Sequence, residues 1–425
     1  MRLLVGIAVV LVALSTGCTG IFQRTVPEEA ARFERVSHGA ELRVGAAEAD
    51  ITPKGEQYLG GFDMDRVSTG VHSKLKARAL VLELGGLRVA VVGVDNLGLE
   101  RDDVEWIKNG LVGFQNGCVF LCSSHTHAAP DLVGMWGFYM LTSGRDRDYL
   151  VRVRDGIAAA VATAADRLRP AVLVRGEARL PPRGLVRNSN RRGLFDPRLT
   201  VIQAKDAASG APLGALLHMA CHPEVMRRRN SAISADFVGA LCDRWQAAGL
   251  GQPVFVNGAL GAMITPEPKG AEGMEVMGEG LFEVAQRALE DAGPVPVESV
   301  ELRRQDLYLP LTSPGLTVGR LMGAIPRDAY EGLMRSSVGY LRIGTIEAAC
   351  VPGEMEPTLA ARLRRASGKP DLLLFGLCDD EVGYLLREVD ARDREFAYER
   401  TMSPVVDAGE RVFAALCGVS VTASR

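Results

Sequence analysis

The stretch LKARALVLELGGLRVAVVGVDN consists of two apolar strand-like runs joined at Gly85-Gly86, and it commits the chain to a β-sheet early. Paired glycines supply the positive φ angles that a two-residue hairpin needs. ERDDVEWIKNGL then carries the charge and spacing of a helix. CVFLCSSHTH returns to a strand, apolar enough to be buried on both faces. The alternation continues. DYLVRVRDGIAAAVATAADRL reads as a long amphipathic helix ending before Pro170, followed by strands in AVLVRGEARL, RLTVIQAKDA and GAPLGALLHMACHP. SADFVGALCDRWQAAG is helical, with Ser234 as cap and Gly249 as terminator. Strands in PVFVNGALGAM, VGYLRIGTIEAACVPGE and DLLLFGLCDDEVGYLL are separated by helices, and VVDAGERVFAALCGV closes the chain as a helix.

This order predicts an α/β fold with mixed β-sheets flanked by helices, in a single large domain over residues 41–425. The chain of 425 residues, 47% of them hydrophobic, is long enough for a sizeable core. The one Pro- and Gly-containing break, around residues 291–315, reads as an inserted β segment rather than a linker. The formal net charge is −3, and no basic run points to nucleic acid as a partner. Protein partners leave no signature.

The N-terminus stands apart. MRLLVGIAVVLVALSTGC has one early cation, Arg2, then an apolar stretch from Leu3 to Leu14. That is shorter than the ~20 residues of a membrane span and suits the apolar core of an export signal. Small residues and then Cys18 follow, similar to a bacterial lipoprotein signal. The expectation is a signal peptide over 1–18, lipidation of Cys18, and a tether over 19–40 with a short helix in PEEAARFERV. An exported lipoprotein held at the outer membrane or the periplasmic face follows from this. The other seven cysteines form no C-x-x-C pattern and are expected to be buried free thiols.

Only six histidines occur, and His125 and His127 sit one residue apart past an apolar strand. On a strand, positions i and i+2 share a face, so the two rings would project together. An H-x-H at a strand end is a common zinc pattern, although a hydrogen-bonded pair without metal has the same spacing. LLHMACHPE offers His218 and His222. As strand positions they would stand ~13 Å apart, so His222, beside Pro223 at the strand end, is the better ligand and His218 a core residue. Glu354, in the turn of VPGEMEP, is either a solvated loop carboxylate or a ligand.

Taken in order, these strand ends resemble the neutral or alkaline non-lysosomal ceramidases. GVHSKLKARALVL is similar to that family's G-[IV]-H-[ST]-[RK]-L-x-A-R-A, SSHTHAAPD to its T-H-T-H-S-G-P, and HMACHPEV to its H-P element. ISADFVGAL, VPGEMEPTLAARLRR, GLCDDEVGYLL and YERTMSP track later elements, so the resemblance runs over about residues 43–401. It implies one zinc, held by His125, His222, Glu354 and Tyr384. His127 would sit beside the metal-activated water and pass a proton to a leaving amine, while Arg191 and Tyr398 would stabilise the oxyanion. Asp95, His72 and Asp236 match positions behind the ligands, where orienting groups tune a metal site. The implied activity is hydrolysis of a linear amide in a small molecule or lipid, such as N-acyl-sphingosine or a related acylated lipid.

The chain also departs from the family pattern. The N-L-G-D-V-S-P-N loop that carries the family's serine is GALGAMITPE here, with Ala262 in place of the Asp and Thr265 as the nearest hydroxyl. Thr265 is either a catalytic stand-in or a cap for the turn before Pro266. Glu381 stands where the family has the first tyrosine of N-x-Y-x-x-Y. The family's C-terminal β domain is expected to be missing. Two rival expectations remain open: a zinc hydrolase of another small amide or ester, and a catalytically silent ligand-binding lipoprotein of the same fold.

Overall fold

The computed structural model describes residues 23–139 and 142–421. The expected signal peptide, Cys18 and the first residues of the tether lie outside the described residues. Among the described residues no helix is long and apolar enough to cross a membrane.

The architecture is helix, sheet, sheet, helix. A nine-stranded sheet runs in the order Gln252–Asn257, Pro212–Met219, Arg198–Asp206, Arg169–Arg179, Arg43–Asp50, Lys76–Leu84, Leu87–Val94, Val119–Ser123, with Gly293–Val295 beside Arg169–Arg179. Its strands are mostly antiparallel, but Leu87–Val94 with Val119–Ser123 and Pro212–Met219 with Gln252–Asn257 are parallel pairs. The sheet curls until Gln252–Asn257 lies near Leu87–Val94. Gly93 permits this approach, because a Cβ there would stand 2.5 Å from the Phe255 carbonyl oxygen. A second, seven-stranded sheet is built around Ser299–Pro310 and Leu333–Ile343.

One apolar cluster joins the facing sides of the sheets, with Leu82, Phe120 and Val254 from one and Leu302, Leu341 and Phe375 from the other. The helix Arg147–Asp166 covers the first strands of the large sheet, and Asp236–Ala247 and Gly270–Glu290 cover its later ones. Pro357–Ser367 and Ala408–Val421 cover the outer face of the second sheet. The expected α/β fold of mixed sheets flanked by helices is the one observed.

Local chemistry explains several elements. The hairpin turns at Gly85 and Gly86 with φ of 53° and 80°, the left-handed pair expected for a two-residue turn. The Ser234 hydroxyl accepts from the Asp236 amide at 2.9 Å, and Gly249 ends that helix at φ 70°. The break near residue 291 is where the chain crosses between sheets, and Ser299–Pro310 is a central strand of the second sheet. One expectation fails. Part of PEEAARFERV is strand, not helix: Arg32–His38 pairs antiparallel with Ser299–Pro310. Its helix-like composition is overruled by pairing with a strand more than 260 residues away, a contact that local spacing does not reveal.

A short seam joins the two sheets. The Gly376 amide donates to the Asn257 carbonyl at 2.8 Å, Ser123 to Leu377 at 3.1 Å and Asp379 to Leu121 at 2.8 Å. On the other side, Cys378 donates to Val351 at 2.9 Å and Leu377 to Gly353 at 3.3 Å. The buried Asp379 carboxylate accepts from the Leu121 amide at 2.9 Å and pairs with Lys108 at 2.7 Å and with Arg304. Asn257, fully buried at the end of its strand, ties the neighbouring loops. Its amide nitrogen donates to the Ser124 and Cys221 carbonyls at 2.9 and 2.8 Å, and its oxygen accepts from the Cys221 and Gly258 amides at 3.1 Å each.

Two consequences can be measured by urea unfolding. Asn257→Ala leaves buried donors and acceptors unpaired and is expected to cost about 3 kcal/mol or more. An effect under about 1 kcal/mol would show that the loops hold without it. Asp379→Asn strands two buried cations and is expected to cost about 3–5 kcal/mol. Burial alone would raise the Asp379 carboxyl, but Arg304 and Lys108 outweigh it and hold the group at about 2. A depressed folded value means that the stabilisation is complete above the unfolded value near pH ~4 and fades as pH falls toward 2. The gap between wild type and variant should therefore narrow over that window.

Candidate metal centre

Four strand ends converge at one end of the two sheets. His125 lies two residues past Val119–Ser123, and His222 three residues past Pro212–Met219. Glu354 and Tyr384 face each other as partners in a two-residue parallel ladder, Glu354–Met355 with Tyr384–Leu385.

The histidine pair meets by a route that differs from the strand expectation. Both residues lie beyond the strand, and His125 has φ 72°, a left-handed conformation uncommon for a residue with a Cβ. The His125 and Thr126 amides both donate to the Asn96 carbonyl, at 2.9 and 3.1 Å, which hooks the turn. The two rings still meet edge-on, with centroids 4.9 Å apart, and His222 lies 5.1 Å from His125 and 5.7 Å from His127. Gly61, at φ 95°, makes room: a Cβ there would lie 2.5 Å from the His127 ring.

The ring nitrogens are sorted by their partners. His125 Nδ1 meets the Leu97 carbonyl at 2.7 Å and His222 Nδ1 the Ile264 carbonyl at 2.8 Å. Each Nε2 is thereby turned inward to Glu354, at 3.5 Å from His125 and 2.9 Å from His222. Backbone anchoring of the outer nitrogen in this way fixes tautomer and orientation in metal-binding histidines. Both nitrogens of His127 are buried without a hydrogen-bond partner among the described residues. The nearest carboxylate recorded for it is Glu224, 4.0 Å from Nδ1. One nitrogen from each of His125, His127 and His222 lies within 4.8 Å of the others, a cluster able to hold a metal ion. Three imidazoles beside a carboxylate, with buried nitrogens left unsatisfied, suit a cation such as zinc.

The electrostatics point the same way. Burial lowers His125 to about 4 and takes His127 well below its ordinary value, so both are neutral and carry free lone pairs at neutral pH. Burial would also lower His222, but its hydrogen bond to Glu354 raises it instead. Burial would raise Glu354, yet His125 and His222 hold it low as an anion, with a smaller contribution from Tyr384. Burial drives the Tyr384 hydroxyl well above the usual tyrosine range.

The remaining expected residues divide. Tyr398 is half exposed and its ring meets Tyr384 edge-on at 6.2 Å. Arg191 pairs with Asp390 at 2.7 Å, Glu395 at 3.5 Å and Asp393 at 3.7 Å, and stacks on Phe396. Its charge therefore fastens the segment that leads to Tyr398. Thr265 is buried, with its hydroxyl 2.9 Å from that of Ser189. Asp95 ion-pairs with Arg78 at 2.7 Å, one residue before the Asn96 hook. Asp236 accepts from the Val225 and Met226 amides at 3.1 Å, which shapes the loop after His222. His72 is exposed, one residue past the short strand Gly70–Val71 that pairs with Ala232–Ile233, and its amide donates to the Ile233 carbonyl at 2.8 Å. His218 is held in the core by the Leu374 carbonyl at 2.8 Å.

Three contributors escaped sequence reasoning: Asn257, Glu224 and Glu381. The first two lie inside motifs that were noted for other residues. Glu381 lines a mainly apolar cavity of about 60 Å³ that reaches His125 and Glu354, walled by Leu97, Trp136, Ile325 and Met334. Its Oε2 is buried with no hydrogen-bond partner among the described residues, while Oε1 accepts from the Gly383 amide at 2.8 Å.

Residues 42–249 match the family described as neutral/alkaline non-lysosomal ceramidase, N-terminal. Neutral ceramidase 1 of Arabidopsis thaliana is 29% identical over 224 residues, 47% of this chain and 28% of that protein. Neutral ceramidase of Drosophila melanogaster is 34% identical over 100 residues, 21% of this chain and 14% of that one. These matched segments span less than a third of the relatives' length. In fold, the neutral ceramidase of Pseudomonas aeruginosa superposes with a TM-score of 0.72 at 20% identity, covering 90% of this chain and 74% of that one. Residues 42–249 therefore belong to the neutral/alkaline non-lysosomal ceramidase family, and the chain shares the fold of the solved ceramidases over 90% of its length.

Proposed function

We propose that the chain is an exported zinc-dependent hydrolase that cleaves a linear amide, N-acyl-sphingosine or a related acylated lipid. The observation that carries this reading is the buried cluster of His125, His127 and His222, with His125 and His222 turned to Glu354 at the end of an apolar cavity. His125, His222, Glu354 and Tyr384 would hold the ion. Bound zinc supplies Lewis acidity and lowers the pKa of water to near 7.

The chain's own residues do the rest. His127, neutral and unpartnered, accepts a proton and delivers it to the leaving amine, with Glu224 on its Nδ1 side. Burial raises the Tyr398 hydroxyl to about 12, so it stays a donor at neutral pH and can stabilise developing negative charge. Arg191 acts by positioning Tyr398 through the carboxylates it fastens. Thr265 supports the His222 loop, since the neighbouring Ile264 carbonyl holds His222 Nδ1. The cavity of about 60 Å³ is sized for a small apolar group beside the scissile bond, and the open oxygen of Glu381 takes a hydroxyl or amine next to it. In this reading residues 1–18 direct export and a lipidated Cys18 holds the enzyme at a membrane that also supplies substrate.

Metal analysis of the full chain tests the site. About one zinc per chain is expected, lost in His125→Ala, His222→Ala and Glu354→Ala. His127→Ala should keep its zinc and lose about 100-fold or more in kcat. Loss of zinc from His127→Ala would make it a ligand instead, and metal-free wild type from a zinc-replete preparation would overturn the metal reading. Zinc without turnover on any ceramide would leave the rival amide or ester substrates, or a binding role.

Glu381→Leu tests the substrate contact on a fluorogenic acyl-amide panel. A loss of about 10-fold in kcat/KM is expected for substrates with a hydroxyl or amine next to the amide. Equal losses on substrates lacking that group would rule out this contact.

A further inference from the structure

Three buried cysteines, each a free thiol in this structure, gather in the apolar core at the seam between the sheets. Cys122 and Cys378 are directly opposed in an antiparallel bridge. The flanking bonds, Ser123 N–H to the Leu377 carbonyl at 3.1 Å and Asp379 N–H to the Leu121 carbonyl at 2.8 Å, leave Cys122 and Cys378 themselves without mutual backbone bonds. Opposed residues of this kind have Cα atoms about 4.5 Å apart. That separation lies inside the ~4.4–6.8 Å window that a disulfide spans. Cys350 packs in the same apolar cluster as Cys122 and Cys378. All three are buried.

We propose that Cys122 and Cys378 are joined by a disulfide when the protein folds in an oxidising compartment. The register brings these two residues face to face, whereas Cys350 lies on Ile346–Cys350 of the second sheet, opposite Phe375. The bond forms before the seam closes and buries the thiols. The oxidant is an exchangeable disulfide, either a small-molecule disulfide or that of a thiol oxidoreductase. One cysteine thiolate attacks it to give a mixed disulfide and release one thiol. The second then displaces the other thiol, so two cysteine protons and two electrons leave with two reduced thiols. The crosslink ties the strand that leads to His125 to the segment that leads to Tyr384, and so fastens both halves of the site. This inference does not depend on the catalytic reading.

The test uses the full chain expressed in a host whose cytoplasm and periplasm are both oxidising, so that the outcome does not depend on export. The protein is denatured, alkylated without reductant, digested and mapped by mass spectrometry. The expected result is a linked pair of peptides carrying Cys122 and Cys378, with Cys118, Cys221, Cys242, Cys350 and Cys417 alkylated. Cys350→Ser should retain the link and Cys122→Ser abolish it. Reduction should lower the melting temperature of wild type but not of Cys122→Ser. Alkylated Cys122 and Cys378 in unreduced wild type, or a link from Cys350 to Cys378, would overturn the proposal.

Discussion

The carboxamide of Asn257 is the contact on which the site depends. It holds the Ser124 carbonyl, next to His125, and both backbone groups of Cys221, next to His222. Two metal-capable histidines from different strands are thus set against each other by one buried side chain with its hydrogen-bonding capacity in use. A carboxamide can do this because it offers two donors and an acceptor from one plane. An aspartate would lack the donors and a leucine both functions. The cost of an unmade buried hydrogen bond makes the arrangement all-or-none rather than adjustable.

The second half of the site comes from the two-residue ladder of Glu354 and Tyr384 beyond the second sheet, so its geometry is only as firm as the seam. Residues 376–379 hydrogen-bond to the large sheet on one side and to the Val351–Gly353 turn on the other. Asp379 adds charge to the backbone pattern by gathering Lys108 and Arg304. Glu354 and Tyr384 then follow from this segment as ladder partners. The site is a junction between two packed sheets, and the apolar cavity beside it is the space left where their ends diverge.

The sequence carried the local part of this and little of the rest. The hairpin at Gly85-Gly86, the helix from Asp236 and the buried strand Val119–Ser123 were legible because their signals lie within a few residues. His125, His222, Glu354 and Tyr384 could be named in advance because their motifs occur in a familiar order, not because spacing requires a site. The Arg32–His38 strand was missed because its partner is remote in sequence. His72 matched a motif and yet lies on the surface, since a short segment does not record which way its side chains face. Asn257 and Glu224 gave no signal because their importance is a matter of partners. Glu381 was visible only as a departure, and burial turned that departure into a functional feature.

The same region also holds the backbone's least comfortable residues. Outside glycine, positive φ angles occur at His125, Asp236, Ala262, Met263, Leu377 and Asp379, all in loops or seams that touch the site, and at only three other described residues. Each such conformation costs on the order of 1 kcal/mol or more and persists only where surrounding structure enforces it. Two unpartnered nitrogens on His127 add a desolvation cost of about 1–3 kcal/mol apiece. Elsewhere most elements follow their local preferences, as the two-glycine turn does, although the Arg32–His38 strand does not. Strain that gathers at one junction of a largely consistent fold marks that junction as the candidate site. There, imidazole nitrogens and an anionic carboxylate stand in reach of one another in a buried cluster able to hold a cation.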